Sequence, residues 1–191
     1  MSAEANIPHA LMIQPLDELY AAAGQPLPPW QVINGEDVPE PYKTLLVHRD
    51  DMTPTLEKFH KGSIHLRVLG RRQNDNEYSR EVVLLLNGAN TPVEFGAIKI
   101  YLDRFPAAAR TLILGEYRPL GTILRECAIA HTSRPKGFLK LASDRLIAEV
   151  LGISGAHMLY GRRNTLFDTE ERPLAEIVEI LPPVVQGVLR E

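Results

Sequence analysis

The sequence has little of what usually marks a specialised class of protein. It contains one cysteine, Cys127, so neither an intramolecular disulfide nor a multi-cysteine zinc site can stabilise it. No apolar run approaches the roughly 20 residues that a transmembrane helix requires. Lysine and arginine (21) do not exceed aspartate and glutamate (24), and the net charge of -3 argues against general attraction to nucleic acid. An anionic ligand would need a local pocket of positive charge.

The sequence also lacks a targeting segment and the common catalytic motifs. The N-terminus has no basic region followed by an apolar stretch and carries Glu4 early, which favours a cytoplasmic protein. There is no glycine-rich phosphate loop, no G-x-S-x-G and no H-E-x-x-H. Of the six histidines only His60 and His65 lie close together, at a spacing that fits no common metal pair. We therefore do not expect a metal site.

What is present is typical of one globular domain. The chain has 191 residues, of which 45% are hydrophobic and 24% charged. Residues 1–41 are rich in proline and acidic residues, and we interpret them as an N-terminal arm with a short helix near Leu16–Ala23. Residues 42–191 are then the folded domain.

The hydrophobic pattern predicts an α+β fold with a mostly antiparallel sheet and helices on one face. Alternation in Ile64–Val68 indicates a half-buried strand, and the apolar segment Ser79–Leu86 indicates a strand covered on both faces. Further strands are expected at Val93–Leu102, Phe138–Leu141, Met158–Phe167 and Leu174–Leu181. Helices are expected after a cap at Asp51 or Thr53, with Leu56 and Phe59 on one face, at Leu120–Cys127, and at Ser143–Leu151.

Charged residues inside apolar strands are the main candidates for function. Arg80 shares a strand face with Val82 and Leu84, where a buried charge would need a partner or an anionic ligand. The spacing alone favours the simpler alternative, in which Arg80 reaches solvent at the strand end. In the last strand, Glu176 and Glu179 lie on opposite faces, and alternation does not decide which of them faces solvent.

Two further features have a structural interpretation. The adjacent Arg162 and Arg163 point to opposite faces of a strand, and pairing with the acidic turn at residues 168–171 is the simplest use for them. Cys127, beside Ala128 and Ile129, is more typical of a small core residue than of a nucleophile.

Several of these segments, in this order, resemble the chorismate lyase (chorismate pyruvate-lyase) superfamily. The matching pieces are Asp51-Met52-Thr53, Arg80-Glu81-Val82-Val83-Leu84-Leu85, Gly96, Pro119-Leu120-Gly121, Ser133-Arg134, Tyr160-Gly161-Arg162-Arg163-Asn164 and Glu179-Ile180-Leu181-Pro182. They span residues 45 to 183 approximately. The sequence is more similar to the divergent lyase-like branch than to the enzymes of ubiquinone synthesis.

The resemblance implies an antiparallel sheet with helices on one face and an internal ligand cavity closed by flaps. It also implies conversion of chorismate to 4-hydroxybenzoate and pyruvate without metal or cofactor, for a quinone or phenolic lipid. By position, Arg80 corresponds to the arginine that binds the ring carboxylate, and Glu179 to the glutamate near the 4-hydroxyl. Met52, Leu120 and Gly121 correspond to positions where backbone groups and a flap close over the ring.

The sequence departs from the superfamily at three places. Gly96-Ala97-Ile98 stands where the ubiquinone enzymes have Gly-Arg-Thr, and Lys99 is the candidate replacement for the missing charge. The helix at residues 143–151 is extra, which predicts a remodelled flap. The alignment of Glu179 requires one residue of altered spacing, so Glu176 is a second candidate. The alternative function is a non-catalytic module that binds small aromatic carboxylates, as effector domains of related fold do.

Overall fold

The computed structural model describes residues 8–184, which form one seven-stranded sheet with six short α-helices. The strands are β1 (Trp30–Ile33), β2 (Ile64–Asn74), β3 (Glu77–Leu86), β4 (Pro92–Tyr101), β5 (Thr132–Ala142), β6 (Met158–Phe167) and β7 (Pro173–Leu181). The helices are α1 (Leu16–Ala22), α2 (Tyr42–Leu46), α3 (Met52–His60), α4 (Ala107–Leu114), α5 (Leu120–Glu126) and α6 (Arg145–Leu151). Within residues 8–184, no helix combines the length and the apolar character needed to cross a membrane.

The sheet consists of two antiparallel meanders joined side by side. Strands β2, β3 and β4 follow one another, as do β5, β6 and β7, and pairing of β4 with β7 joins the two groups in the order β1-β5-β6-β7-β4-β3-β2. Gly96 of β4 lies directly opposite Glu179 of β7. Arg80 of β3 lies opposite Ile98 of β4. Because residues two apart along a strand share a face, Arg80 and Glu179 project from the same face of the sheet.

The α+β class with an antiparallel sheet is confirmed, but helices cover both faces of the sheet and not one face as the sequence predicts. The face with Ile98 and Ile100 packs against α4 and α5, while α2 and α3 cover the neighbouring part. In addition, α1 and α6 pack on the opposite face, against Phe95, Ala97 and Val178. Burial on both sides explains why β3 and β4 are apolar on both faces.

The segment before residue 42 packs as part of this sheet. Its strand β1 pairs with β5 and forms one edge of the sheet. The side chains of Leu16 and Tyr20 in α1 are buried, and the Tyr20 hydroxyl donates a 2.8 Å hydrogen bond to Asp144. The predicted arm therefore contributes core residues from its described part; residues 1–7 and 185–191 lie outside the described range.

Two local predictions need correction. Phe59 is exposed, although it was expected to share a buried helix face with Leu56, which is fully buried. The extra helix α6 lies on the face with Phe95 and Ala97. That face is opposite to Gly96, so α6 does not remodel a flap over the Arg80 side.

Candidate functional site

A small cavity lies between the sheet and the first turns of α3 and α5. Its volume is about 60 Å³, and its floor is formed by β3, β4, β6 and β7. All five residues that the sequence singles out for a site line this cavity: Arg80, Glu179, Met52, Leu120 and Gly121. The structure brings together residues that are up to 127 positions apart, but the roles assigned to them stay predictions.

Gly96 allows the Glu94 carboxyl group to approach the floor of the cavity. A β-carbon built on Gly96 would come within 3.1 Å of Glu94 Oε1 and 3.4 Å of Val82 Cγ2. The Glu94 carboxyl group therefore lies close to the Gly96 backbone, and Glu179 of β7 is paired with Gly96. A side chain at position 96 would displace the Glu94 carboxyl group.

Arg80 is a buried cation without a carboxylate partner. Its side chain is among the largest fully buried ones, at 1% relative exposure. Its Nη1 lies 3.4 Å from the carbonyl oxygen of Ile113, and its guanidinium stands 6.0 Å from the centre of the Tyr78 ring. Within residues 8–184 Arg80 forms no ion pair, and its Nε has no hydrogen-bond partner. Burial lowers the pKa of Arg80 from its ordinary value.

The Arg162–Glu179 ion pair closes the other side of the cavity. Both side chains are almost completely buried, and Arg162 Nε donates to Glu179 Oε2. The remaining guanidinium nitrogens donate to main-chain carbonyls just before α3, at Leu46, His48 and Asp50. This explains the orientation of Glu179, and it links the cavity to the segment that leads into α3.

Glu94 is a second buried carboxyl group, on the side of the cavity where the Arg162–Glu179 ion pair lies. It lies on β4, two residues before Gly96, and is 4% exposed. Its Oε2 has no hydrogen-bond partner within the described residues. Burial raises the pKa of Glu94 well above its ordinary value, and the charge of Glu179 raises it further, while Arg162 acts in the opposite direction.

The rim of the cavity is held by a contact between α3 and the segment after α5. Asp51 precedes α3 at the N-cap position, but its carboxylate accepts a 2.9 Å hydrogen bond from His131 Nε2 instead of capping the helix. His131 Nδ1 lies 2.9 Å from the carbonyl oxygen of Ile129. Both ring nitrogens thus face acceptors, and the hydrogen bond that His131 donates to Asp51 raises the pKa of His131. At Gly121, a β-carbon would come within 3.4 Å of Thr53 Oγ1, so the two helix starts approach closely.

Several sequence-based interpretations are corrected here. Arg80 is buried and does not reach solvent at a strand end. Arg162 and Arg163 pair with Glu179 and Glu176, not with the turn at residues 168–171, because those glutamates lie on the adjacent strand β7. Glu176 is on the α1 face with Arg163, so it does not line the cavity.

Lys99 does not supply the missing charge either. Its ammonium group forms a 2.7 Å ion pair with Glu18 of α1, because Lys99 projects from the face opposite to Gly96. The sequence analysis did not single out Glu94. A signal for it was present, since one acidic residue in the apolar strand Pro92–Tyr101 shares a face with Gly96 and Ile98.

Unsatisfied polar atoms are concentrated at the cavity. Within residues 8–184, four buried side-chain atoms have no hydrogen-bond partner: Arg80 Nε, Glu81 Oε1, Glu94 Oε2 and Asn164 Oδ1. Three of these four residues line the cavity. Since buried polar atoms in proteins are nearly always paired, such a concentration favours a site whose partner is a ligand. The same range of the chain contains no group of three or more potential metal-ligating side chains.

Solved structures with a similar fold come from bacterial proteins. The effector domain of PhnF from Mycobacterium smegmatis matches with a TM-score of 0.52 and 15% identity, over 69% of this chain and 87% of that chain. A structure of PhnF from the same organism matches with a TM-score of 0.52 and 14% identity, over 71% of this chain and 65% of that chain. The ligand-binding domain of a GntR-family transcriptional regulator from Bordetella bronchiseptica matches with a TM-score of 0.46 and 14% identity, over 62% and 85% of the two chains.

The likeness to PhnF at this level of identity shows a shared fold. The chain has the α+β, chorismate lyase-like fold of such effector domains, in agreement with the fold that the sequence resemblance implies. No family model and no curated protein matches the sequence. Function therefore has to be argued from the cavity itself.

Proposed function

We propose that the cavity binds a small cyclic carboxylic acid, and that Arg80 holds the carboxylate. The observation that carries this proposal is the burial of Arg80 without an ion-pair partner within residues 8–184. A buried guanidinium with no counter-charge is costly, and a ligand carboxylate would compensate it with a bidentate pair of hydrogen bonds. The described residues offer Arg80 a long contact to the main-chain carbonyl of Ile113, a contact with the Tyr78 side chain and the attraction of the Glu116 carboxylate, which binds Tyr78 and forms no ion pair with Arg80.

The distribution of side chains along the cavity indicates a ring-shaped ligand. Arg80 lies opposite Ile98 of β4, whereas Glu94 is four residues away on the same strand, about 13 Å at the rise of an antiparallel strand. Val82 lies between them on this face, and Leu84 and Ile177 add apolar lining at the levels of Glu94 and Arg80. An apolar ring with a carboxylate at one end and a polar group at the other matches this order.

The cavity has to widen for such a ligand to enter. A volume of about 60 Å³ holds only a few waters, whereas ligand pockets usually measure about 300–1,000 Å³. The residues that cover the cavity are the first turns of α3 and α5, including Met52 and Leu120. We expect these two segments to move apart for ligand entry and to close over the bound ring.

The specific activity that we propose is conversion of chorismate to 4-hydroxybenzoate and pyruvate. Cleavage of the ether bond to the enolpyruvyl group, with loss of the ring hydrogen on the hydroxyl-bearing carbon, makes the ring aromatic, and this drives the reaction. The protein then has mainly to hold the dianion, exclude water and assist proton movement. Arg80 would bind the ring carboxylate, and Glu179, held by Arg162, would accept a hydrogen bond from the hydroxyl.

The test is to incubate the purified protein with chorismate and to follow 4-hydroxybenzoate and pyruvate by chromatography. We expect turnover by the wild type, loss of at least about 100-fold in kcat/KM for Arg80→Ala, and near-wild-type activity for the control Arg67→Ala, an exposed arginine of β2. No product from folded protein at high concentration would refute the lyase activity. Full activity of Arg80→Ala would refute the assignment of Arg80.

A second candidate is a binding module without catalysis. The shared fold with the effector domain of PhnF favours it, because this fold does not require an enzymatic function. The same purified protein distinguishes the two: binding of 4-hydroxybenzoate by calorimetry, with no turnover of chorismate, would support the binding module.

A further inference from the structure

We propose that Glu94 is a specificity-determining residue of the cavity. It donates a hydrogen bond to a hydroxyl oxygen of the ligand while Glu179 accepts one, so that the cavity selects a hydroxylated ring acid over the same acid without the hydroxyl. This inference rests on the proposed function, because it takes a carboxylic acid held by Arg80 as the ligand.

The first argument is the charge balance at this side of the cavity. Two buried carboxyl groups, Glu94 and Glu179, lie near one guanidinium, that of Arg162. The contacts of Arg162 go to Glu179, to three main-chain carbonyls and to His48 Nδ1. No ion pair of Glu94 is found within residues 8–184, so only the attraction of Arg162, which is already paired with Glu179, would offset its buried negative charge. Such a group takes up a proton instead.

The second argument is the hydrogen-bonding capacity of the uncharged acid. A carboxylate only accepts hydrogen bonds, whereas a protonated carboxyl group carries one O–H donor. The described part of the chain gives Glu94 Oε2 no hydrogen-bond partner. Burial also raises the pKa of Glu94, in the direction that the charge balance requires. The protonated Glu94 carboxyl group is therefore a hydrogen-bond donor that the described part of the chain leaves without an acceptor.

The third argument is the position of the two carboxyl groups around Gly96. Glu179 lies directly across from Gly96 on β7, and Glu94 Oε1 is 3.1 Å from where a β-carbon of Gly96 would be. Both carboxyl groups line the cavity next to Gly96, so a donor and an acceptor face the same end of it. A hydroxyl group both donates and accepts, so it satisfies both side chains. A second carboxylate in this place would only accept, and it would be repelled by Glu179.

The experiment measures the affinities of 4-hydroxybenzoate and benzoate for the whole protein by titration calorimetry at pH 7. The wild type should bind 4-hydroxybenzoate about tenfold or more tightly than benzoate, because one good buried hydrogen bond contributes an affinity difference of about that size. Glu94→Gln keeps a donor of nearly the same shape and should retain this preference within about threefold. Glu94→Leu should lose the preference while its affinity for benzoate stays within about threefold of the wild type. The exposed control Glu77→Leu, on β3, should behave like the wild type.

The outcomes separate this inference from the proposed function. Retention of the preference by Glu94→Leu would overturn the role of Glu94 and leave the carboxylate site intact. Failure of the folded wild type to bind either compound would overturn both. If Glu94→Leu does not fold, infrared spectroscopy of Glu94→Gln decides: the carbonyl band of a protonated carboxyl group should be present in the wild type at pH 7 and missing in the variant. Identical spectra would overturn the inference.

Discussion

Replacement of Arg162 by methionine tests how the cavity is built. Arg162 is completely buried, and its guanidinium binds Glu179 and the main-chain carbonyls of Leu46, His48 and Asp50. Methionine fills a similar volume but donates no hydrogen bond. The variant therefore leaves the Glu179 carboxylate buried without its partner and three carbonyl groups without their donor.

The expected loss of stability is large. Breaking a buried ion pair by removing one partner costs about 3–5 kcal/mol, since the remaining charge is uncompensated. For a chain of this size, 1 kcal/mol corresponds to about 2–4 °C in Tm, so a loss near 4 kcal/mol lowers Tm by about 8–16 °C. Adding Glu179→Gln to Arg162→Met gives a double variant in which the unpaired buried carboxylate is replaced by an uncharged amide. The double variant should recover about 2 kcal/mol of the loss, because the unpaired amide still costs less than an unpaired carboxylate.

The assay is urea denaturation at pH 7, followed by circular dichroism and by the fluorescence of the single tryptophan, Trp30. The control is Arg145→Met, which breaks an ion pair with Glu149 on α6. The Arg145 side chain is 92% exposed, so its loss should have little effect on stability. The reasoning is refuted if Arg162→Met falls within 1 kcal/mol of this control. It is also refuted if the double variant is no more stable than Arg162→Met.

Three other replacements have distinct expected outcomes. Arg80→Met should abolish binding of 4-hydroxybenzoate yet raise the free energy of unfolding by about 1 kcal/mol, because it removes an unpaired buried charge; melting with and without ligand measures both effects. Gly96→Ala should weaken binding by about tenfold or more in calorimetry, since the new methyl group meets Glu94 Oε1 at 3.1 Å and displaces that carboxyl group; unchanged affinity would contradict a role of the Glu94 position in binding. His131→Gln should remove a pH-dependent part of the stability: the raised pKa of His131 means that its contact with Asp51 stabilises below about pH 6.5 and is lost as the pH rises through the folded-state pKa. Denaturation of the variant from pH 5 to 9 should show a flatter dependence than the wild type.

The sequence pattern is sufficient for much of the sheet and for part of the site. Alternation in β2 and the two-sided apolar character of β3 predict those strands because the side-chain period of a strand is a local property. The capped helix α6 is also local, with Asp144 accepting from the Ile147 amide and Gly152 ending it at φ 64. Order and spacing along the chain were enough to single out Arg80 and Glu179.

The interactions that build the site depend on tertiary structure. Arg162 and Glu179 are 17 positions apart, and their pairing follows from the register of β6 against β7, which a local period does not specify. Glu94 comes near Glu179 only when β4 and β7 pair, and Gly96 leaves room for its carboxyl group. The segment before residue 42 joins the sheet by pairing with β5, more than 100 positions later. The sequence by itself therefore determined the elements and the two most conspicuous polar residues, whereas long-range strand pairing decided which charges meet, because contacts across strands are set by register and not by neighbouring residues.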